Sequence, residues 1–413
     1  MSIAIETIKT SQLQELVDIA DSNYVVVTDG TLSKKVKITV LKGNDYINVK
    51  SKGVQEGQTD DIAINNTEII QNLIDSNDDL VLYFPSGIYR LNRLNFGSNK
   101  NITFVGKSSS FATSINKDIA NPRIIDTYTR IVVSLSDYEY FIEHDNCSII
   151  FDKISFVNGA ISDNTITTSK NNYLVKTNAN NTKGKLFLTN CSFIGWKQIA
   201  GDVDVLTKDS QLLHCSVLAN RCRFTDNSIA IAQPLDSRFI DCSFNKNEYS
   251  IISKANSGFT TMVGCRIEWG NNTGIVLNNS KEFTINSCEF DRHYNNAILI
   301  ANSVRCNISN NIFRRSGANT NLSTEDTTNN CHIYANSNTN CIISGNITYE
   351  QNILDTGSAA TRPSNCTNIS NNINCVITNN ILNGCTKSDK VAANIFENNI
   401  NCIVYGNMPI DLP

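Results

Sequence analysis

Two carboxylates occupy the same place in two copies of one phrase. Residues 264–296 read GCRIEWGNNTGIVLNNSKEFTINSCEFDRHYNN, in which Gly-Cys-Arg-Ile-Glu-Trp from Gly264 is answered by Ser-Cys-Glu-Phe-Asp-Arg from Ser287, so that Glu268 and Asp291 are equivalent positions. If the fold brings them within one strand spacing, the two acids repel each other and the proton affinity of one rises. Such a pair can divide into a general acid and a general base or nucleophile. Cleavage of a glycosidic bond uses that division, with carboxyl groups roughly 5–5.5 Å apart for retention and roughly 6.5–9.5 Å apart for inversion. The neighbours suit the same work. Arg266, Arg292, Arg314 and Arg315 offer paired donors to an acidic sugar group. Trp269 offers a flat face to a pyranose, and Glu289, His293 and Tyr294 flank the pair.

The elements that must position these residues follow from the repeat itself. The phrases DCSFNK from Asp241, GCRIEW from Gly264, SCEFDR from Ser287 and NNIFRR from Asn310 recur at one constant interval without a gap. A second phrase keeps the interval at Asn256-Ser257, Asn279-Ser280 and Asn302-Ser303. Earlier copies start at Asn190 and Arg221. Later ones at Cys306, Cys341, Cys375 and Cys402 are spaced more widely and unevenly, with loops at 316–330 and 350–365 inserted between them. Short alternating strands separated by Asn, Gly and Ser turns at a fixed period predict a parallel β-helix. A helical solenoid would need amphipathic helices of about 12 residues, which the repeat lacks.

Turns of such a helix stack at roughly 4.7–4.9 Å, so equivalent residues form columns. Alternation puts Cys265 and Ile267 on the core face and Arg266 and Glu268 on the outer face. One outward column is therefore Thr225, Asn245, Glu268, Asp291, Arg314, and its neighbour is Arg223, Ser243, Arg266, Glu289, Ile312. Both acids are expected to face solvent, with His293 and Tyr294 at the groove edge. The competing reading is a surface ion-pair ladder, Arg266 with Glu289 and Asp291 with Arg314, which would contribute only about 0–1 kcal/mol per pair.

Composition excludes several other functions. Charged residues are 18% of the 413-residue chain and the formal net charge is -4, so no basic field draws the protein to nucleic acid or anionic lipid. The start lacks a basic and then apolar leader, and no run of about 18 apolar residues predicts membrane insertion, so a soluble, cytoplasmically made chain is expected. The 14 cysteines form no CxxC pair and read as inward stacks of small apolar side chains, poorly oriented for disulfides. The repeated asparagines read as turn residues that tolerate left-handed backbone and bond neighbouring amides. His144, His214, His332, Asp152, Asp226 and Asp241 have no partner at a useful spacing. No metal or cofactor motif, GxSxG, HExxH, P-loop or dinucleotide fingerprint, occurs.

Residues 59–76 predict one helix, capped by Thr59 or Asp60 with apolar positions at Ile62, Ile69, Ile70, Leu73 and Ile74, placed to cover the open end of the solenoid core. Two strand-like runs follow around Pro85-Ser86-Gly87. Within residues 1–48, NYVVVTDGTLSKKVKITVL predicts a hairpin around Asp29-Gly30.

The stretch GVQEGQTDDIAIN, followed by LYFPSGIYRL and NITFVG, resembles the opening of the pectate-lyase-like right-handed β-helix superfamily, departing from it where Glu56-Gly57-Gln58 stands in place of the usual Gly-Asp-Gly. The segment VVTDGT with KKVKITVL looks like the particle-attachment segment of bacteriophage tailspikes and tail fibres. The whole arrangement is similar to tailspike polysaccharide depolymerases, and Arg266-Ile267-Glu268-Trp269 with Phe290-Asp291-Arg292 match phrases on consecutive coils of tailspikes from phages of encapsulated Gram-negative bacteria. The resemblance implies an all-β, right-handed parallel β-helix with an attachment module at 1–48, a capping helix and first coils at 49–110, and a glycan-binding and catalytic β-helix at 111–413. It implies a homotrimeric virion protein, carried on the phage tail, baseplate or an adaptor, that hydrolyses bacterial capsular or other surface polysaccharide at the host surface. Glu268 and Asp291 would be catalytic, and Arg266, Trp269, Glu289, Arg292, His293, Tyr294 and Arg314 would bind substrate. A lyase with Tyr294 or His293 as base and Arg292 or Arg314 as neutralising cation, or a receptor-binding fibre without catalysis, are the alternatives. A secreted bacterial pectinase is disfavoured by the missing leader.

Overall fold

The computed structural model of the protein describes residues 24–28, 33–37, 46–109, 128–133, 135–136, 139–162, 165–176, 185–201, 205–206, 214–254, 257–314, 316, 331–349, 367–383, 385–387, 390–392 and 395–410. The chain forms two compact units, Met1–Ile47 and Asn48–Pro413. In the first, strands β1 (Tyr24–Thr28) and β2 (Ser33–Lys37) pair antiparallel with Val26 opposite Lys35. The Asp29-Gly30 turn expected between them lies outside the described residues.

After a 3-10 turn at Val49–Lys52 the second unit forms helix α1 (Asp60–Asp75), whose N-cap Thr59 accepts a hydrogen bond from the Ile62 amide at 3.4 Å. The helix buries Ala63, Ile70 and Ile74, while Ile62, Ile69 and Leu73 are half-buried at the edges of that stripe. Asn66 is also fully buried on it. Its side-chain amide donates to the Gln55 carbonyl at 2.8 Å and to that of Arg90 at 3.3 Å, and its Oδ1 accepts from the Gln55 amide at 2.8 Å. A polar side chain thus pins the helix to both the segment before it and a first-turn strand, which a search for apolar spacing does not find.

Beyond the helix the chain winds through three long sheets of thirteen, thirteen and eleven strands, in which, apart from one antiparallel hairpin strand, successive members come from successive turns and pair in parallel. One sheet positions the site. It contains β3 (Ser155–Ser162), which folds back on β4 (Thr165–Thr168), and then β5 (Arg223–Thr225), β6 (Ser243–Asn245), β7 (Arg266–Glu268), β8 (Glu289–Asp291) and β9 (Ile312–Arg314).

Equivalent inward residues stack on one another. Rings of Phe156, Phe193, Phe224 and Phe244 follow at centroid distances of 5.6, 5.4 and 4.6 Å, and Phe290 meets Phe313 at 4.9 Å. Each such ring taken from water contributes about 1.5–3 kcal/mol. Cys222, Cys242, Cys265 and Cys288 are buried free thiols in one ladder, and burial pushes the Cys222 and Cys242 thiols well above their ordinary range. In a second ladder the amides of Cys306, Cys341 and Cys375 each donate to the thiol of the next turn at 3.3 Å.

The asparagines divide into two jobs. Asn279, Asn302 and Asn310 hold left-handed corners at φ of 55°, 50° and 56°. Asn311, Asn346, Asn380 and Asn407 point inward instead, the side-chain amides of the first three each donating to the next Oδ1 at 3.0, 2.9 and 2.8 Å in turn.

Candidate active site

The register sets the site. Cys265, just before β7, and Ile267 within it are buried and leave Arg266 and Glu268 on the outer face, and Cys288, just before β8, and Phe290 do the same for Glu289 and Asp291. Glu268 lies directly beside Asp291, and Arg266 beside Glu289. The same columns run through Thr225 and Asn245 before Glu268, through Arg314 after Asp291, and through Arg223 and Ser243 before Arg266.

Each of these strands ends in a left-handed corner. Asp226, Lys246, Trp269 and Arg292 have φ of 56°, 56°, 53° and 58°. A left-handed residue other than glycine costs about 1–2 kcal/mol. The corner amides offset this by bonding the next turn: Asp226 to the Asn245 carbonyl at 2.9 Å, Lys246 to Glu268 at 3.0 Å, Trp269 to Asp291 at 2.8 Å and Arg292 to Arg314 at 3.2 Å. The backbone twist turns these side chains into a third column beside the two acids. Alternation alone does not place them there, and the signal that finds them is the residue immediately after the outward acid position of each repeat.

The three columns enclose a cleft of about 300 Å³, lined by Thr225, Asn245, Glu268 and Asp291, by Arg223, Arg266 and Arg314, and by Trp269 and Arg292 of the corner. Arg266 Nε lies 2.5 Å from Glu268 Oε1 and 3.6 Å from Glu289 Oε2. Arg314 pairs with the other oxygen of Glu289. Asn245 donates its side-chain amide to Glu268 Oε2 at 3.5 Å, and Arg292 Nη1 lies 3.2 Å from Asp291 Oδ2. The repulsion of the stacked acids is therefore opposed by guanidinium groups on both sides. The Arg292 guanidinium carbon also sits 4.1 Å from the centroid of the Trp269 ring, so this face of the indole carries a cation in place of a sugar.

Five site expectations change. Asp291 does not face open solvent: it is only 1% exposed at the base of the cleft, because the flanking columns and Arg292 cover it. Ion pairing is not the simple ladder either, since Arg266 joins Glu268 as well as Glu289, and Glu289 takes Arg314. His293 is not at the groove edge. The chain turns inward after the Arg292 corner and buries the imidazole, 1% exposed, against Gly270 and Gly274, with Nδ1 3.1 Å from Ser316 Oγ. Burial, and secondarily the charge of His332, hold its pKa down to about 3. Tyr294 is exposed but does not line the cleft, and Glu289 stands outside it as the bridge between Arg266 and Arg314. Trp269 is 46% exposed at the cleft. Arg315 lies outside the described residues.

Among the described residues no group of three or more His, Cys, Asp and Glu side chains could hold a metal ion. No helix among them is long and apolar enough to cross a membrane.

Residues 154–313, the turns that build the cleft, match the family of right-handed β-helix regions. With three parallel sheets stacked turn on turn, the second unit is an all-β, right-handed parallel β-helix. Solved structures similar to this chain include the enzymatically active domain of tailspike protein 2 of bacteriophage CBA120, at 16% identity and a TM-score of 0.60 over 92% of this chain and 55% of that one. A tailspike double mutant of E. coli bacteriophage HK620 is similar at 11% identity and a TM-score of 0.53, over 94% and 71% of the two chains. So is the catalytic unit of a thermostable alpha-1,3-glucanase from Streptomyces thermodiastaticus, at 11% identity and a TM-score of 0.50, over 87% and 69%. This chain spans about half the length of the first of these, and at such identities the likeness is one of fold.

Proposed function

We propose that the protein is a phage tailspike depolymerase that binds bacterial capsular or other surface polysaccharide and hydrolyses its glycosidic bonds, with Glu268 and Asp291 as the acting carboxylates. The observation that carries this reading is their direct pairing on consecutive turns, at the base of a cleft lined by arginines and an exposed tryptophan. One acid protonates the departing glycosidic oxygen, and the other either activates water or attacks the anomeric carbon. The fold shared with tailspikes and with an alpha-1,3-glucanase supports the same reading.

A lyase mechanism on this site has less support. It needs a base beside the neutralising arginines, and His293 is buried while Tyr294 stands off the cleft. We also propose that the protein acts as a homotrimer held to the phage tail, baseplate or an adaptor through residues 1–48. Sizing the products after incubation with purified capsules of different types tests the catalytic reading. Shortened chains without the ultraviolet absorbance of an unsaturated uronate are expected; an unchanged length distribution on every capsule bound would leave a receptor-binding protein, and the absorbance would leave a lyase.

A further inference from the structure

The outer face of the sheet that carries the cleft is covered at one end. In the column of Arg223, Ser243 and Arg266, the three preceding members, Arg130, Ser155 and Ser192, are buried, whereas Arg223 and Ser243 are half-buried and Arg266 is exposed. The column of Glu268 changes over the same turns. Its earlier members Val132, Val157 and Ile194 form a buried apolar cluster, followed by the polar Thr225 and Asn245.

The β3–β4 hairpin lies over that cluster. Ile161 of β3 and Ile166 of β4 stand opposite each other and pack on it beside Ile88. A two-stranded hairpin alone is marginal in water, so this packing holds it in place. The chain leaving β4 is latched as well: the Ser169 amide donates to the Asn158 carbonyl at 3.2 Å and the Lys170 amide to that of Gly195 at 3.0 Å. Gly195 is left-handed at φ of 75°, and a Cβ there would come within 2.5 Å of the Thr168 side chain. The latch reaches the cleft itself, because Asp226, first in the corner column, pairs with Lys170 at 2.7 Å and accepts from the Thr168 hydroxyl at 2.9 Å. The cleft therefore abuts the hairpin at the turn of Thr225. From there Glu268 is two turns on, about 9–10 Å at the usual strand spacing, or about the length of two sugar units.

Resting on the reading of the cleft as a glycan site, we infer that the β3–β4 hairpin closes one end of it, so that the protein grips a polysaccharide at a chain end and detaches from there a short piece of about two sugars. A chain running straight through would have to occupy the volume of Ile161, Ile166 and Thr168. Each cut adds one water across the glycosidic bond, the hydroxyl to the anomeric carbon and the proton to the departing oxygen.

The test counts chain ends. The full chain carrying Glu268→Gln and Asp291→Asn, which leaves the polymer uncut, is titrated calorimetrically with purified capsules of different types, each intact and sonicated to about a tenth of its length. On a capsule that binds, the protein bound per milligram should rise about tenfold with the sonicated chains; equal binding per milligram would overturn the inference. A second variant opens the groove: Ala160–Thr167 is replaced by Asn-Gly, a turn that joins the paired Gly159 and Thr168, with Val157→Thr and Ile194→Thr to make the uncovered face polar. Binding should then follow mass, and a dependence on ends that survives in this variant, melting like the parent, would remove the hairpin as the closure. If the variant does not fold, the count of ends on the unaltered hairpin decides. With the parent, the first products should be short pieces beside polymer still near its starting length, and a ladder of intermediate lengths would overturn the inference. Failure here is separable from failure of the underlying reading: binding at ends with nothing shortened removes catalysis alone, mid-chain cutting removes the closed end alone, and a protein that binds no capsule loses both.

Discussion

Arg292 lies over the ring of Trp269, its guanidinium carbon 4.1 Å from the centroid, while its Nη1 reaches Asp291 Oδ2 at 3.2 Å. The indole therefore holds the cation that holds one of the two cleft acids. A cation over an aromatic face at an exposed site is worth about 0.5–1 kcal/mol, or roughly a two- to fivefold effect on a rate if the arrangement matters only in the transition state. Trp269→Ala should lower kcat for glycan cleavage by about that factor, and Trp269→Phe should restore most of it. Unchanged kcat in Trp269→Ala, with only KM raised, would make the ring a binding surface and nothing more.

Glu268→Gln and Asp291→Asn should each reduce product formation by about 10²–10⁴-fold, the usual contribution of a positioned proton-transfer group. Both are isosteric, and circular dichroism should remain that of the parent. Wild-type rates of reducing-end release in both variants would dismiss the carboxylate pair.

The inward asparagine ladder gives a stability prediction. Asn346 donates to Asn380 Oδ1 at 2.9 Å and to the Ile308 carbonyl at 2.9 Å, and its Oδ1 accepts from the side chain of Asn311 at 3.0 Å. Removing it orphans buried partners at about 1–3 kcal/mol each. Asn346→Ala should lower the thermal midpoint measurably, and Asn346→Leu should not rescue it. A midpoint equal to the parent's would mean that the ladder is incidental.

Acid should loosen the turns around His293. Its folded pKa of about 3 lies below the roughly 6.5 of an unfolded imidazole, so the native state binds fewer protons there. The associated stability is present above about pH 6.5 and drains away as pH falls toward 3. His144, held down to about 4 chiefly by burial, adds to the same trend. Calorimetric midpoints should therefore fall between pH 7 and pH 4, and less steeply in His293→Gln; parallel curves for the two proteins would remove His293 from the account.

Much of the site is legible in the sequence because the period is uninterrupted where it matters. From Asp241 to Asn310 every turn has the same length, so the columns containing Glu268 and Asp291 can be written down before any coordinates and agree with the register. Three things stay hidden. Column arithmetic says which face a residue is on but not how deep it lies, so it puts Asp291 in open solvent. A left-handed corner resets the alternation, which sends His293 inward and brings Trp269 and Arg292 to the cleft. Asn66 carries no periodic signal, because a buried amide on a helix is specified by the carbonyls it meets.

The corner column has a combinatorial side. Asp226, Lys246, Trp269 and Arg292 are an acid, a base, an aromatic and another base at one backbone position, each held by a main-chain bond that asks nothing of the side chain. Folding is delegated to the thiols, rings and amides inside, and the rim can carry side chains of any chemistry. Substitutions along that rim therefore change what the cleft presents while the scaffold beneath stays the same.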